Sequence, residues 1–133
     1  NKILKSVKTT IYDESYNASP ESVKACIKNL LQKPRNQFFI FGSMQELGKE
    51  SEKYHKEIFN LIDDSDIEKC LFICDKKNEN IYSNYLKDMK KFLVLNNIKD
   101  IPKEINKYTK KGDSILIKGS RCWQLEKIIE FIN

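Results

Sequence analysis

Three short stretches of this 133-residue chain carry residue types that can do chemistry at close range. The first is Asp13-Glu14-Ser15-Tyr16-Asn17-Ala18-Ser19-Pro20, a polar turn between an extended apolar approach (Thr9 to Tyr12) and a helix from Glu21 to Lys33. Ser19 suits the helix cap, Pro20 the first helical position, and Glu21 the positive end of the helix dipole. A strand that runs through such a turn into a helix N-terminus is a standard place for an α/β protein to hold a phosphate or carboxylate. The second stretch is Gly42-Ser43-Met44-Gln45-Glu46-Leu47-Gly48, and the third is Lys118-Gly119-Ser120-Arg121. Gly119 would let the backbone pass close to a ligand. Lys118, Ser120 and Arg121 would then offer two cations and a hydroxyl to an anion. For Lys118 and Arg121 the alternative is plain solvent exposure.

Other chemistries lack their parts. There is no G-x-x-x-x-G-K-[ST] and no G-x-G-x-x-G, so the usual backbone cradle for nucleotide phosphates is missing. The single histidine, His55, falls mid-helix among Glu52, Lys53 and Lys56, with no neighbouring Ser or Cys to form a dyad. It reads as a structural residue that packs or caps locally rather than as a proton carrier. Cys70 and Cys74 flank a strand-like run and have no second pair at zinc-finger spacing, so the four cysteines do not make a metal site. Buried free thiols in a reducing compartment are the better reading.

The elements that must position the three stretches follow from periodicity. Five apolar runs stand out: Thr9 to Tyr12, Phe38 to Phe41, Cys70 to Cys74, Phe92 to Leu95 and Ile115 to Ile117. The last four are continuous, as strands covered on both faces of a parallel sheet should be. Between them lie helical stripes: Val23, Ile27, Leu30 and Leu31, ended by Pro34; Tyr54, Ile58, Leu61 and Ile62; Ile81, Tyr85 and Met89; Ile98, Ile101, Ile105 and Tyr108; and Leu125, Ile128, Ile129 and Ile132. This alternation predicts an α/β fold: a Rossmann-like open, mostly parallel sheet with helices on both faces. Lys2 to Lys8 could add an antiparallel edge strand at the N-terminus. All three polar stretches then fall just after strands, where ligands of such sheets gather.

Composition agrees with a packed domain. Charged residues make up 32% of the chain, but seven Phe and six Tyr with many Ile and Leu leave ample core material. No linker or repeat divides residues 1–133, which read as a single domain. The net charge of +5 comes almost wholly from scattered lysines, since the only arginines are Arg35 and Arg121. Nucleic-acid readers usually show clustered Arg interleaved with aromatics, so no nucleic-acid partner is expected. No apolar run approaches membrane-spanning length, and membrane insertion is not expected. The chain opens on Asn1 without an initiator Met and reads as a piece of a longer protein.

The three stretches together resemble the C-terminal domain of the Mur ligases, in the branch that adds D-alanyl-D-alanine. That family's first motif usually reads D-D-S-Y-N-A-N-P, matched by Asp13 to Pro20. The second reads G-D-M-x-E-L-G and precedes a helix with a histidine, matched by Gly42 to Gly48 and then Ser51 and His55. The third reads G-D-x-x-L-x-K-G-S-R, matched by Gly112 to Arg121. Any one of these would be weak; three in order and at compatible spacing are specific.

The resemblance implies one part of a three-domain cytoplasmic ligase of peptidoglycan synthesis. In that family ATP phosphorylates the carboxylate of UDP-N-acetylmuramoyl-tripeptide, and the amine of D-alanyl-D-alanine attacks the acyl phosphate. ATP and Mg²⁺ would be bound mainly by the central domain, the UDP end by the N-terminal domain, and this domain would close over them. Glu14, Tyr16 and Asn17 would face ATP; Lys118, Ser120 and Arg121 would face the acceptor's carboxylate or the transferring phosphate. No metal ligand and no catalytic residue are expected in this domain alone, and it would not turn over by itself. Four positions depart from the motifs: Glu14 and Ser43 where Asp is usual, Ser19 where Asn is usual, and Cys122-Trp123 where Gly-Met is usual. The last departure requires a backbone without positive φ at those two residues. Two other readings stay open: a Mur ligase with a different acceptor, although no D-N-P-R-type motif is present, and a stand-alone basic α/β binding module of nucleic-acid-binding or receiver-like type.

Overall fold

The computed structural model describes residues 2–133. Six strands form one sheet in the order β1-β2-β6-β3-β4-β5: β1 Lys2–Lys5, β2 Thr10–Glu14, β3 Gln37–Gly42, β4 Lys69–Ile73, β5 Phe92–Leu95 and β6 Ser114–Lys118. Every neighbouring pair is parallel except β1 and β2, which run antiparallel with Ile3 opposite Tyr12. The open, mostly parallel sheet and its antiparallel N-terminal edge are as the periodicity predicts.

Helices cover both faces. Phe39, Phe41, Cys70, Phe72 and Leu116 point to one side, where they pack on α1 (Pro20–Leu30), α2 (Ser51–Asp63) and α3 (Lys76–Leu86). Phe38, Ile40, Leu71, Ile73, Ile115 and Ile117 point to the other, against α4 (Ile101–Tyr108) and a C-terminal 3₁₀ helix, Leu125–Phe131. Alternate residues of β3, β4 and β6 thus feed two different cores, which is why their sequences show no polar face. β5 differs from expectation. It is only half-buried along its length, because it is the sheet's edge and pairs with β4 alone.

Local signals set the helix ends. At α1, Ser19 Oγ accepts from Ser22 N at 3.2 Å and Ser22 Oγ accepts from Ser19 N at 2.9 Å, so two free backbone donors are satisfied reciprocally. Pro20 follows at the first helical position, and the helix stops at Leu30, ahead of Pro34. In α3 the buried residues are Tyr82 and Leu86, whereas Ile81 is 45% exposed, so the Ile81 stripe is one residue out of phase. The Tyr82 ring is core, and its hydroxyl finds a polar partner, 3.3 Å from His55 Nδ1. The last stripe forms a 3₁₀ helix instead of an α-helix. Leu125 and Ile128, three residues apart, share its buried side.

Where the chain leaves the sheet decides where a ligand can sit. The connections after β2 and β3 lead into helices of the first face, while the chain after β6 packs on the second. β6 lies between β2 and β3, so the direction of exit reverses on both sides of it. That reversal is the switch point at which open α/β sheets bind ligands.

Candidate functional site

The three polar stretches meet at this switch point. Glu14, the last residue of β2, is level with Lys118, the last of β6, which is level with Phe41 of β3. Beyond them the loops are hydrogen-bonded to one another. Lys118 Nζ donates to the Asn17 carbonyl at 2.9 Å, Gln45 N donates to Ser120 Oγ at 2.9 Å, and Trp123 Nε1 donates to the Ser43 carbonyl at 3.0 Å. The first and second loops are thereby each tied to the third. Gly119 has a use inside the fold itself. A Cβ there would lie 2.8 Å from Gly42 Cα and 2.9 Å from Gly42 N, so its bareness lets two strand ends approach each other.

Within the rim the six predicted residues face different ways. Glu14 and Lys118 point to the side of the sheet that carries α1. Glu14 is half-buried and helps line a pocket of ≈ 160 Å³ with Tyr12, Cys26 and Leu116. Lys118 is only 3% exposed, which excludes the solvated alternative for this lysine. The Cys26 thiol reports their proximity: burial pushes its pKa up, Lys118 opposes this, and Glu14 reinforces it. Tyr16 and Arg121, assigned by resemblance to different ligands, share one open recess of ≈ 360 Å³ with Asp13, Ser15, Glu126 and Lys2. Tyr16 is 58% exposed and Arg121 is exposed, so both are available to a partner. Asn17 is exposed too, but its Oδ1 already accepts from Ala18 N at 2.8 Å, which leaves its side-chain amide as the free donor. Ser120 is buried and uses a lone pair for Gln45, so its own O–H remains for a ligand.

His55 lies beneath the second loop, as a structural residue. It is 1% exposed among Phe41, Phe59, Phe72 and Tyr82. Nε2 accepts from Met44 N at 2.9 Å, and Nδ1 lies 2.7 Å from the Ser51 carbonyl. Burial lowers its pKa below the ordinary 6.5, and the Ser51 contact partly opposes that.

Some contributors escaped the sequence reading. The Asp13 carboxylate accepts from Ser15 N at 3.0 Å and from the Ser15 hydroxyl, which shapes the first loop. An Asp two residues before a Ser in a turn is the available signal for this. Gln45 acts through its backbone N–H, which no side-chain pattern can reveal. Trp123 reaches Ser43 at a position where the motif has Met. Neither Cys122 nor Trp123 has positive φ, as the departure from Gly-Met requires; Gln124 takes it instead, at 50°. The opening half of the third motif is architectural. Gly112 (φ 92°) and the buried Asp113 sit at the opposite end of β6, where the Asp113 carboxylate accepts from Lys110 N at 2.7 Å and Asn36 N at 3.3 Å.

Among the described residues no group of three or more His, Cys, Asp or Glu is placed to hold a metal, and no helix is long and apolar enough to cross a membrane. Cys70 and Cys74 are buried, and burial pushes the Cys74 thiol up to about 12. Cys26 is half-buried and Cys122 exposed, so the expectation of buried thiols holds for two of the four.

A sheet covered on both faces, with interlocked polar loops at its switch point, defines a domain of the Rossmann-like class. The chain belongs to the family described as Mur ligase, glutamate ligase domain, which it matches over residues 2–121. It is 32% identical to the UDP-N-acetylmuramoyl-tripeptide–D-alanyl-D-alanine ligase of Rickettsia prowazekii, in an alignment covering 98% of this chain and 29% of that protein. Its identity to the Bacillus subtilis protein of the same name is 34%, over 91% of this chain and 27% of that one. Among solved structures, the MurF ligase of Thermotoga maritima in complex with ADP superposes with a TM-score of 0.81 at 28% identity, covering 97% of this chain and 29% of that one. A MurF from Acinetobacter baumannii shares the fold with a TM-score of 0.81 at 19% identity. The chain therefore spans less than a third of the length of these relatives.

Proposed function

We propose that residues 1–133 are one domain, the C-terminal closing domain of a cytoplasmic, ATP-dependent ligase that adds D-alanyl-D-alanine to UDP-N-acetylmuramoyl-tripeptide. The observation that carries this reading is the convergence of the three motif loops on one rim, where side chains of the third loop hydrogen-bond to the first and second. The names of the relatives support the choice of substrates, and the ADP in the Thermotoga maritima structure supports a nucleotide.

In this reading the first loop faces ATP. Tyr16 offers an exposed ring, Asn17 a free amide, and Glu14 a carboxylate at the base of the loop. Arg121 and the Ser120 hydroxyl meet the acceptor's carboxylate or the phosphate being transferred. Lys118 anchors their loop to the first from below and lends its positive charge to the same edge. A lid of this kind excludes water from a labile acyl phosphate and sets donors where negative charge develops. Mg²⁺ would neutralise phosphate charge during transfer. As the family resemblance implies, ATP and Mg²⁺ would be held mainly by the central domain, which with the N-terminal domain would complete the enzyme, while the cations and hydroxyls of this rim would meet phosphate oxygens from the other side.

The test is phosphate release by the full-length enzyme with ATP and the nucleotide-linked tripeptide, while acceptors are varied. Release that requires D-alanyl-D-alanine, and that diaminopimelate or lysine fails to support, is expected. Equal release with those amino acids would overturn the choice of acceptor.

A further inference from the structure

We propose that His55 is the positioning residue of the second loop, holding Met44 and Gln45 where the Gln45 N–H sets Ser120 at the rim. The catalytic consequence rests on the ligase reading above; the loop-holding does not.

Three consecutive residues of the loop have a backbone group held by a side chain from elsewhere. The Ser43 carbonyl accepts from Trp123 Nε1, Met44 N donates to His55 Nε2, and Gln45 N donates to Ser120 Oγ. Two of these side chains belong to the third loop. Among the described residues, His55 is the side chain that ties the tripeptide to helix α2. Without it the second and third loops would still hold each other, and the Met44 side chain would still sit in the core with Ile58 and Phe59, but the loop backbone would lose its hydrogen bond to that helix.

The partners fix the state of the ring. A carbonyl oxygen can only accept, so Nδ1, 2.7 Å from the Ser51 carbonyl, carries the hydrogen. A backbone N–H can only donate, so Nε2 presents its lone pair to Met44. The ring cannot swing away, because Phe41, Phe59, Phe72 and Tyr82 pack round it with centroids 5.1 to 6.2 Å off. Met44 is 3% exposed, so its N–H has no ready substitute in water. Protonating Nε2 would set donor against donor and expel the loop.

Several ionisable groups lie around the ring. Tyr82 of α3 lies 3.3 Å from Nδ1. Asp75 and Glu46 line the same recess of ≈ 200 Å³, and the Asp75 carboxylate is committed to Asn78 N at 3.0 Å. Glu52 and Lys56 on α2 pair with each other at 2.9 Å, and the buried Cys74 follows β4. Burial depresses the imidazolium, which places the break on the acid side of the ordinary histidine range.

The experiment compares full-length wild type, His55→Phe and His55→Gln by hydrogen exchange over residues 43–48 and by the pH dependence of ligation. Gln can bring its Oε1 near the place of Nε2 without titrating. In His55→Phe, exchange over 43–48 is expected to rise about tenfold, with peptides from the far end of α2 unchanged, and kcat to fall by about tenfold or more. His55→Gln is expected to recover most of the rate at pH 7.5 and to lose the acid limb shown by wild type. Wild-type exchange over 43–48 in His55→Phe, or an unaltered acid limb in His55→Gln, would overturn the proposal. If His55→Phe does not fold, the Gln variant's exchange and pH profile decide. A wild-type enzyme that does not ligate would sink the ligase reading, while the exchange measurements would still decide the role of His55.

Discussion

Replacing Gly119 with Ala tests the packing on which the rim depends. The new methyl would stand 2.8 Å from Gly42 Cα, 2.9 Å from Gly42 N and 2.9 Å from Leu125 Cδ1. Comfortable carbon contacts lie at about 3.5 to 4.0 Å. The leucine tip can rotate aside, but the two backbone atoms belong to a central strand whose Gly42 is in register with Ile73 of β4. Relief therefore needs the ends of β3 and β6 to part by roughly half an ångström or more, which strains the ladder between them. Overpacking of this kind costs about 2 to 3 kcal/mol. For a chain of this size that is a fall in melting temperature on the order of 10 °C. Urea and thermal denaturation should show it, and Leu125→Ala in the same chain should not restore the loss. Gly48→Ala is the contrast: nothing lies within 4 Å, and only the φ of 57° is violated, for about 1 to 2 kcal/mol. A Gly119→Ala protein that melts within about 2 °C of wild type, or one rescued by trimming Leu125, would refute the steric argument.

Three further outcomes are expected. Lys118→Met keeps most of the buried stem but loses the bond to the Asn17 carbonyl; it should cost about 1 kcal/mol of stability and raise the KM for ATP, measured by denaturation and by ligation kinetics. Arg121→Ala, at an exposed position, should leave the denaturation midpoint within about 0.5 kcal/mol of wild type, yet lower phosphate release in the full-length enzyme by about tenfold or more; an unchanged rate would remove Arg121 from the site. His55 is neutral in the fold, and its folded pKa lies below the unfolded 6.5, so the unfolded chain takes up its proton first. Its contribution to stability is thus fully present above pH 6.5 and drains away as pH falls from there through the lowered folded value. Thermal melts of wild type and His55→Gln across that window should diverge.

Much of this arrangement was legible because its signals are local. Ser19-Pro20 announced the start of α1, the continuous runs of β3, β4 and β6 announced a sheet covered on both faces, and the three motifs announced their own convergence. What stayed hidden depends on strand order, which no window of sequence contains. β5 shares its pattern with buried strands and is an edge only because nothing follows it across the sheet. Lys118 reads as a free cation until β6 is placed between β2 and β3, where the first loop folds over it. Gly119 and Gly42 are far apart in the chain, and Gly119 owes its smallness to Gly42, as Gly42 does to the Trp123 ring. The rim's hydrogen bonds fall largely on backbone groups of Asn17, Ser43, Met44 and Gln45, and backbone groups leave no trace in residue identity.

The position of β6 has a kinetic side. Thr10 must find Ser114, and Gln37 must find the same residue, before the central gap is filled. Until then β2 and β3 stand about 10 Å apart, the width of one missing strand. Both flanking margins are then unpaired and apolar, open to any extended peptide nearby. Sealing the gap and assembling the rim are one event, so slow or failed insertion should surface first as aggregation during synthesis rather than as an inactive soluble product.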